Sequence, residues 1–133
     1  MTLPTMSEAV KRECTIIIPH LPFRELSQNS RVHWAVKARA VKAQREEAGW
    51  LAKAQWQNRP PMTHARISYE FTVKDKRRRD ISNLVSACKS LEDGIVDAGV
   101  VVDDDAKHLE VGHILLTRGD TEQIIIKVEE RLK

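Results

Sequence analysis

Residues 65–73 alternate strictly, with Ile67, Tyr69, Phe71 and Val73 on one parity and polar side chains between them. A two-residue period puts these four side chains on one face of a pleated strand, and that face needs an apolar cover. The next apolar-periodic stretch can supply one. Ile81, Leu84, Val85, Cys88, Leu91 and Ile95 recur at helical spacing. Asp80 or Ser82 can cap the start of this helix, and Gly99 suits its end. Gly94 inside it costs about 1 kcal/mol relative to alanine. A one-sided strand followed by a one-sided helix commits the chain to a sheet packed on helices.

Upstream, Cys14 to Ile18 is β-branched, is closed by Pro19, and reads as a buried strand. Residues 20–33 carry Pro22 and a polar run and read as a loop long enough to suspect function. Residues 34–57 lack proline and are rich in Ala, Lys, Gln and Glu, which predicts a helix stopped by Pro60-Pro61. Its expected apolar face is Trp34, Ala38, Val41, Ala48, Leu51 and Gln55, with Arg45 unaccounted for on that stripe. Trp50 and Trp56 read as core or interface residues, with base stacking as the alternative. Downstream, Val100 to Val102 reads as a short strand. Residues 108–117 carry Leu109, Val111, His113 and Leu115 on one parity. Residues 124–128 form another strand, expected to pair with its predecessor as a hairpin across Arg118-Gly119-Asp120. The predicted fold class is α+β: a mixed or antiparallel sheet packed with two main helices.

At 133 residues the chain fits a single domain over 1–133, with 1–12 as a loose polar end. No apolar run approaches the roughly 20 residues that span a bilayer. The start lacks the pattern of a signal peptide. The expectation is a soluble cytoplasmic protein with no membrane partner. Cys14 and Cys88 lie far apart, make no zinc-type spacing and read as small core residues. The five histidines, His20, His33, His64, His108 and His113, show no metal-ligand cluster in the sequence. The net charge of +3 is mild, but its distribution is uneven. Arg24, Arg31, Lys37, Arg39, Lys42 and Arg45 form one basic cluster, and Lys74, Lys76, Arg77, Arg78 and Arg79 another. Clustered cations attract phosphate more than the same charge spread evenly; two solvated faces are the alternative.

The second cluster runs straight into Asp80, and Asp103-Asp104-Asp105 follows the valines. A helix over 82–97 would carry the chain about 22–24 Å away from Asp80. Five extended residues folding back would return it by about 16 Å. That path brings Asp103 and Asp104 toward the helix start. Carboxylates gathered there would be hard oxygen ligands for Mg²⁺ or Mn²⁺. Metal ions beside Lys and Arg suit phosphodiester hydrolysis. The alternative is a helix cap at Asp80 and a solvated turn at 103–105.

The constellation Arg77-Arg78-Arg79-Asp80-Ile81-Ser82-Asn83-Leu84, Lys89, Ala98-Gly99 and Asp103-Asp104 resembles the RusA family of Holliday junction resolvases, found largely in bacteria and prophages. Asn29-Ser30-Arg31-Val32-His33-Trp34 is similar to the substrate-side loop of many members. The resemblance implies a homodimeric α+β fold and Mg²⁺-dependent cleavage of four-way DNA junctions, with Mn²⁺ as a possible substitute. It implies Asp80, Asp104 and Lys89 as catalytic residues. It places the metal on Asp80, Asp103, Asp104 and position 82. It assigns DNA contacts to Arg31, His33, Lys76, Arg77, Arg78 and Arg79. Lys89 matches the family lysine counted back from Gly99. Counted forward from Asp80 that position is Ser86, which implies a three-residue insertion of about one helical turn. The family has an aspartate where this chain has Ser82. On an ideal helix Ser82 and Lys89 share a face, so the serine deprives the lysine of a carboxylate partner. Asp105 is an extra carboxylate that could compensate. Three readings stand: a junction endonuclease, a relative that binds branched DNA without cutting it, or an unrelated basic α+β domain with RNA or a protein as partner.

Overall fold

The computed structural model describes residues 11–27 and 30–131. The elements in order are β1 (Glu13–Ile18), a 3-10 turn (Arg24–Leu26), α1 (Trp34–Trp56), β2 (Ala65–Val73), α2 (Ile81–Ser86), α3 (Lys89–Asp97), β3 (Leu109–Arg118) and β4 (Gln123–Glu130). Together they form one α+β domain with a four-stranded mixed sheet in the order β1-β4-β2-β3. The expected loose end at 1–12 lies outside the described residues up to position 10. Arg12 does not belong to it: its guanidinium holds Glu130, donates to the Pro60 carbonyl and sits over the Trp56 ring.

β2 behaves as its alternation predicts. Ile67, Tyr69 and Phe71 are buried in one cluster with Trp56, Met62, Leu91 and Ile95, and Val73 is buried as well. β4 places Ile124, Ile126 and Val128 beside them. Cys14 and Cys88 are buried and unpaired, and burial pushes their thiols up to about 11 and about 12.

The expected hairpin of the last two strands does not form. β3 pairs with β2 in parallel, and β4 lies antiparallel between β1 and β2. Skipping one strand means crossing about 9.6 Å, and a linker of four residues can reach about 13 Å. The same short connection therefore serves a hairpin or a skip. The Ile124-Ile125-Ile126 run favours the interior place; β3 takes the edge, with Val111, Leu115 and Leu116 exposed. The parity expected for β3 also fails. Ile67 pairs with Val111 but Tyr69 pairs with Ile114, so β3 carries an extra residue there. Such a bulge swaps the inward face from Leu109 to Ile114. Gly112 sits in it because a Cβ there would stand 2.4 Å from the Ser68 Oγ.

The long helix is in place, but its buried face is Ala40, Gln44, Ala48, Ala52 and Trp56. Of the expected stripe only Ala48 belongs to it, and Trp34 is exposed. Small residues at four-residue spacing let α1 approach α3 closely. Arg45 lies beside this seam and pairs with Asp97 through two bonds of 2.5 and 2.8 Å. Gln55 turns to β1, where its side-chain amide accepts from the Thr15 N–H and donates to the Thr15 carbonyl, satisfying an edge strand.

The helix expected over 82–97 is two helices. The chain breaks at Ala87-Cys88, where ψ falls to −10° and 0°. There the Ala87 carbonyl accepts a hydrogen bond from the buried Gln44 side chain at 3.1 Å. A side-chain donor inserted into the helical ladder is a recognised cause of a break. Gly99, at φ 81°, ends α3 as expected. The valine run makes no full strand: Val101 forms one isolated parallel bridge with Met62.

Candidate active site

Asp80 is the N-cap of α2; its carboxylate accepts from the Ser82 N–H at 2.9 Å and the Asn83 N–H at 3.4 Å. Ser82 is exposed on the first turn. Because of the break, Ser82 and Lys89 stand on different helices, and the shared face of an ideal helix does not apply to them.

The fold-back does occur, and it ends at Lys89. α3 rises only about 13 Å over its nine residues, so the short return through 100–104 reaches its first residue. The Lys89 ammonium bonds Asp104, lies 3.1 Å from Asp93 and 3.5 Å from Glu92. Bonding to Asp104 raises the affinity of Lys89 for its proton, and the same bond holds Asp104 below the usual carboxylate range. Asp103 fixes the turn by accepting from the Asp104 N–H at 2.7 Å. Burial pushes the Glu92 carboxyl up, and the Tyr69 hydroxyl donates to it at 3.3 Å. No hydrogen bond or ion pair joins Asp80 to the 103–105 turn. Among the described residues, no group of three or more His, Cys, Asp or Glu is gathered for a metal ion.

Asp103 and Asp104 each keep one carboxylate oxygen outside these bonds. That donor set fits Mg²⁺, which usually takes one or two carboxylates and completes its shell with water and substrate phosphate. Asp80 and Ser82 are not brought to this pair by any contact.

The basic residues divide. Lys76, Arg77 and Arg78 are exposed, as are Arg31 and His33. His33 caps α1, its Nδ1 accepting from the Ala35 N–H at 3.1 Å. Arg79 is different. Its side chain is 8% exposed and bonds Asp75 at 2.8 Å; its other nitrogen lies 3.7 Å from Glu122, too far for a hydrogen bond. It supports the loop that presents its neighbours. Arg77 and Arg24 line a cleft of about 550 Å³ with Ser30 and Val32. Both also line a smaller hollow of about 180 Å³ that contains Asp80 and Asn83. Arg24 and Arg77 thus line both hollows, and the smaller one contains Asp80. Asn29 lies outside the described residues.

Glu92, Asp93 and Gln44 were not expected at the site. The first two carried a signal, since they follow Lys89 at the three- and four-residue spacing of helical ion pairs. Gln44 carried none: a mid-helix glutamine reads as solvated, yet this one is buried and joins Phe23, Ala87 and Ser90. Trp56 is in the core, and Trp50 is exposed beside a separate hollow that holds none of the expected site residues. Among the described residues, no helix is long and apolar enough to cross a membrane.

No family model matches the chain. The chain is similar to a protein of Xylella fastidiosa (strain Temecula1 / ATCC 700964) described as "Uncharacterized protein", 29% identical over 128 residues, covering 86% of this chain and 82% of the other. Among solved structures it is similar to the hydrogenase maturation protein HypE in complex with ATP, at 15% identity and a TM-score of 0.35. The match covers 100% of this chain but only 32% of that one. A second HypE structure matches at 10% identity and a TM-score of 0.34, again over 32% of its length. Likeness at that level carries no argument about fold or function.

Proposed function

We propose that the chain is a metal-dependent endonuclease of the cytoplasm that cleaves four-way DNA junctions, as its resemblance to the RusA family implies. The observation that carries the reading is the contact of Lys89 with Asp104, 15 residues apart in sequence and joined by the return of the chain after α3. Asp103 and Asp104 would hold Mg²⁺, or Mn²⁺, which when bound supplies charge for the phosphate and an activated water. Lys89, more than half exposed on this acidic edge, would meet the charge that develops on the phosphate. Asp80, on the smaller hollow that Arg24 and Arg77 also line, would be a further carboxylate. Lys76, Arg77, Arg78, Arg31 and His33 would hold the backbone on either side. A four-way junction has two-fold symmetry, so a homodimer would bring two sites to two strands.

Ser82 favours a second reading. It gives no charge where the resembling family has a carboxylate, and a chain so changed would bind branched DNA without cutting it. One experiment separates the two: a synthetic four-way junction incubated with Mg²⁺ or Mn²⁺ and the native chain, Asp104→Asn or Ser82→Asp. The endonuclease reading expects native cleavage that is lost in Asp104→Asn. Binding without cleavage, with cutting gained in Ser82→Asp, selects the second reading. Absence of junction binding at moderate salt overturns both, since exposed cationic clusters should show phosphate contacts there.

A further inference from the structure

Three arginines line one small hollow: Arg24 from the 3-10 turn, and Arg77 and Arg79 from the run before α2. Arg24 and Arg77 are exposed and form no ion pair among the described residues. Arg79 has a buried side chain. Its Nη1 donates to Asp75, but its Nη2 is buried without a hydrogen-bond partner, since Glu122 stands 3.7 Å away. A desolvated cationic donor left without an acceptor is costly, and an anion in the hollow would offset that cost.

Asp80 is the one carboxylate on this lining, and both of its capping bonds use Oδ1. Asn83 adds a side-chain amide that makes no hydrogen bond among the described residues. Donors therefore outnumber acceptors, which suits an oxyanion. Phe23 and Ala87 also line the hollow, and both are tied to the buried Gln44 side chain. Its shape is thus set by the core before any ligand arrives.

Size and donor set choose among oxyanions. The hollow measures about 180 Å³. A phosphomonoester carries close to two negative charges at about pH 7 and three terminal oxygens, more acceptors than a backbone diester offers. Its single ester link needs one way out. The cleft of about 550 Å³ that shares Arg24 and Arg77 has room for the attached sugar and base.

We propose that Arg24, Arg77, Arg79 and Asn83 form a binding site for a phosphomonoester, carried by the end of a nucleic-acid strand or by a free nucleotide. Hydrolysis of a phosphodiester puts the water oxygen on phosphorus, sends a proton to the departing oxygen and leaves one such end. The inference rests on the endonuclease reading only for that source of the ligand; on that reading the site retains the product end.

The test is fluorescence anisotropy of an internally labelled single-stranded oligonucleotide, in EDTA to prevent cleavage. It carries a 5′-phosphate, a 3′-phosphate or hydroxyls at both ends, and a nucleoside monophosphate serves as competitor. The native chain should bind one phosphorylated form at least about tenfold more tightly than the hydroxyl form, the factor that one charge-assisted hydrogen bond supplies. Arg24→Gln and Arg77→Gln, at exposed positions, should each remove most of that preference. Lys42→Gln, at an exposed position off this lining, should weaken all forms alike. Asp80→Asn keeps the cap and removes the one negative charge, so the preference should grow. Competition by the mononucleotide at the affinity of the phosphorylated strand assigns a free nucleotide; a mononucleotide that competes far more weakly assigns a strand end. Equal affinity for phosphorylated and hydroxyl ends, or a preference unchanged in both arginine variants, overturns the inference. A junction that is bound and cut by a chain without end preference leaves the endonuclease reading in place and sinks this one. An end preference in a chain that binds no junction does the reverse.

Discussion

α2 and α3 lie on either side of one break, yet they are built for different ends. α2 buries none of its residues, whereas α3 buries Ser90, Leu91, Gly94 and Ile95. The segment with the Asp80 cap and Ser82 is thus only half-buried, with Leu84 and Val85 packed on the edge of the core. The segment beginning at Lys89 is fixed by packing along its length. The sharpest way to break this comparison is Gly94→Ala. A Cβ there would stand 2.2 Å from the Arg45 carbonyl oxygen and 2.9 Å from the Gly49 nitrogen, both backbone atoms of α1. Helix propensity alone would make the change stabilising by about 1 kcal/mol. Forcing the two helices apart costs about 3 kcal/mol, the upper end for overpacking, and should dominate. Urea unfolding should show a clearly lower midpoint; a midpoint at or above the native one would mean that α1 and α3 do not touch there.

A smaller effect is expected where the two regions meet. Gln44 accepts from the Phe23 N–H at 2.8 Å and donates to the Ala87 carbonyl and the Ser90 hydroxyl. Gln44→Leu keeps the volume and strands those polar groups, at a cost of about 2 kcal/mol. Because the cleft loop and the helix break share this side chain, amide exchange should quicken at Phe23 and around 87–89 together. Acceleration at only one of them would show that Gln44 does not couple loop and break.

Where one period dominated, the sequence was a good guide. β2 had a partner for each inward side chain, and the stripe from Leu84 to Ile95 survived the break because ψ changed at only two residues. What the sequence hid was decided by long-range partners. The α1 face was misjudged because alanines at four-residue spacing bury themselves only when another helix comes close, and Gly94 is what lets it come close. β3 and β4 looked like a hairpin because a four-residue linker has the same appearance whether or not a strand lies between its ends. Of the three residues expected to act together, the structure joins Lys89 and Asp104 and leaves Asp80 as a helix cap apart from them. The break moved the helix start reached by the returning chain from residue 82 to residue 89. That shift brought in Glu92 and Asp93 and left Asp80 on the smaller hollow.

The smallest expected change in stability bears most directly on what α2 is for. Asp80 caps this helix through two backbone N–H groups. Asp80→Ala removes that acceptor and should destabilise the helix start by about 1 kcal/mol, whereas Asp80→Asn caps about as well and should cost a few tenths at most. Because no residue of α2 is fully buried, the alanine loss should be seen as faster amide exchange over 82–86 more than as a shift in global melting. Cleavage of a four-way junction separates the two roles differently. Asparagine keeps the cap but carries no negative charge, so a functional carboxylate at position 80 predicts that both variants lose cutting while only alanine loosens the helix. An Asp80→Asn protein that cuts at the native rate would assign Asp80 to the fold alone and leave the chemistry to Lys89, Asp103 and Asp104.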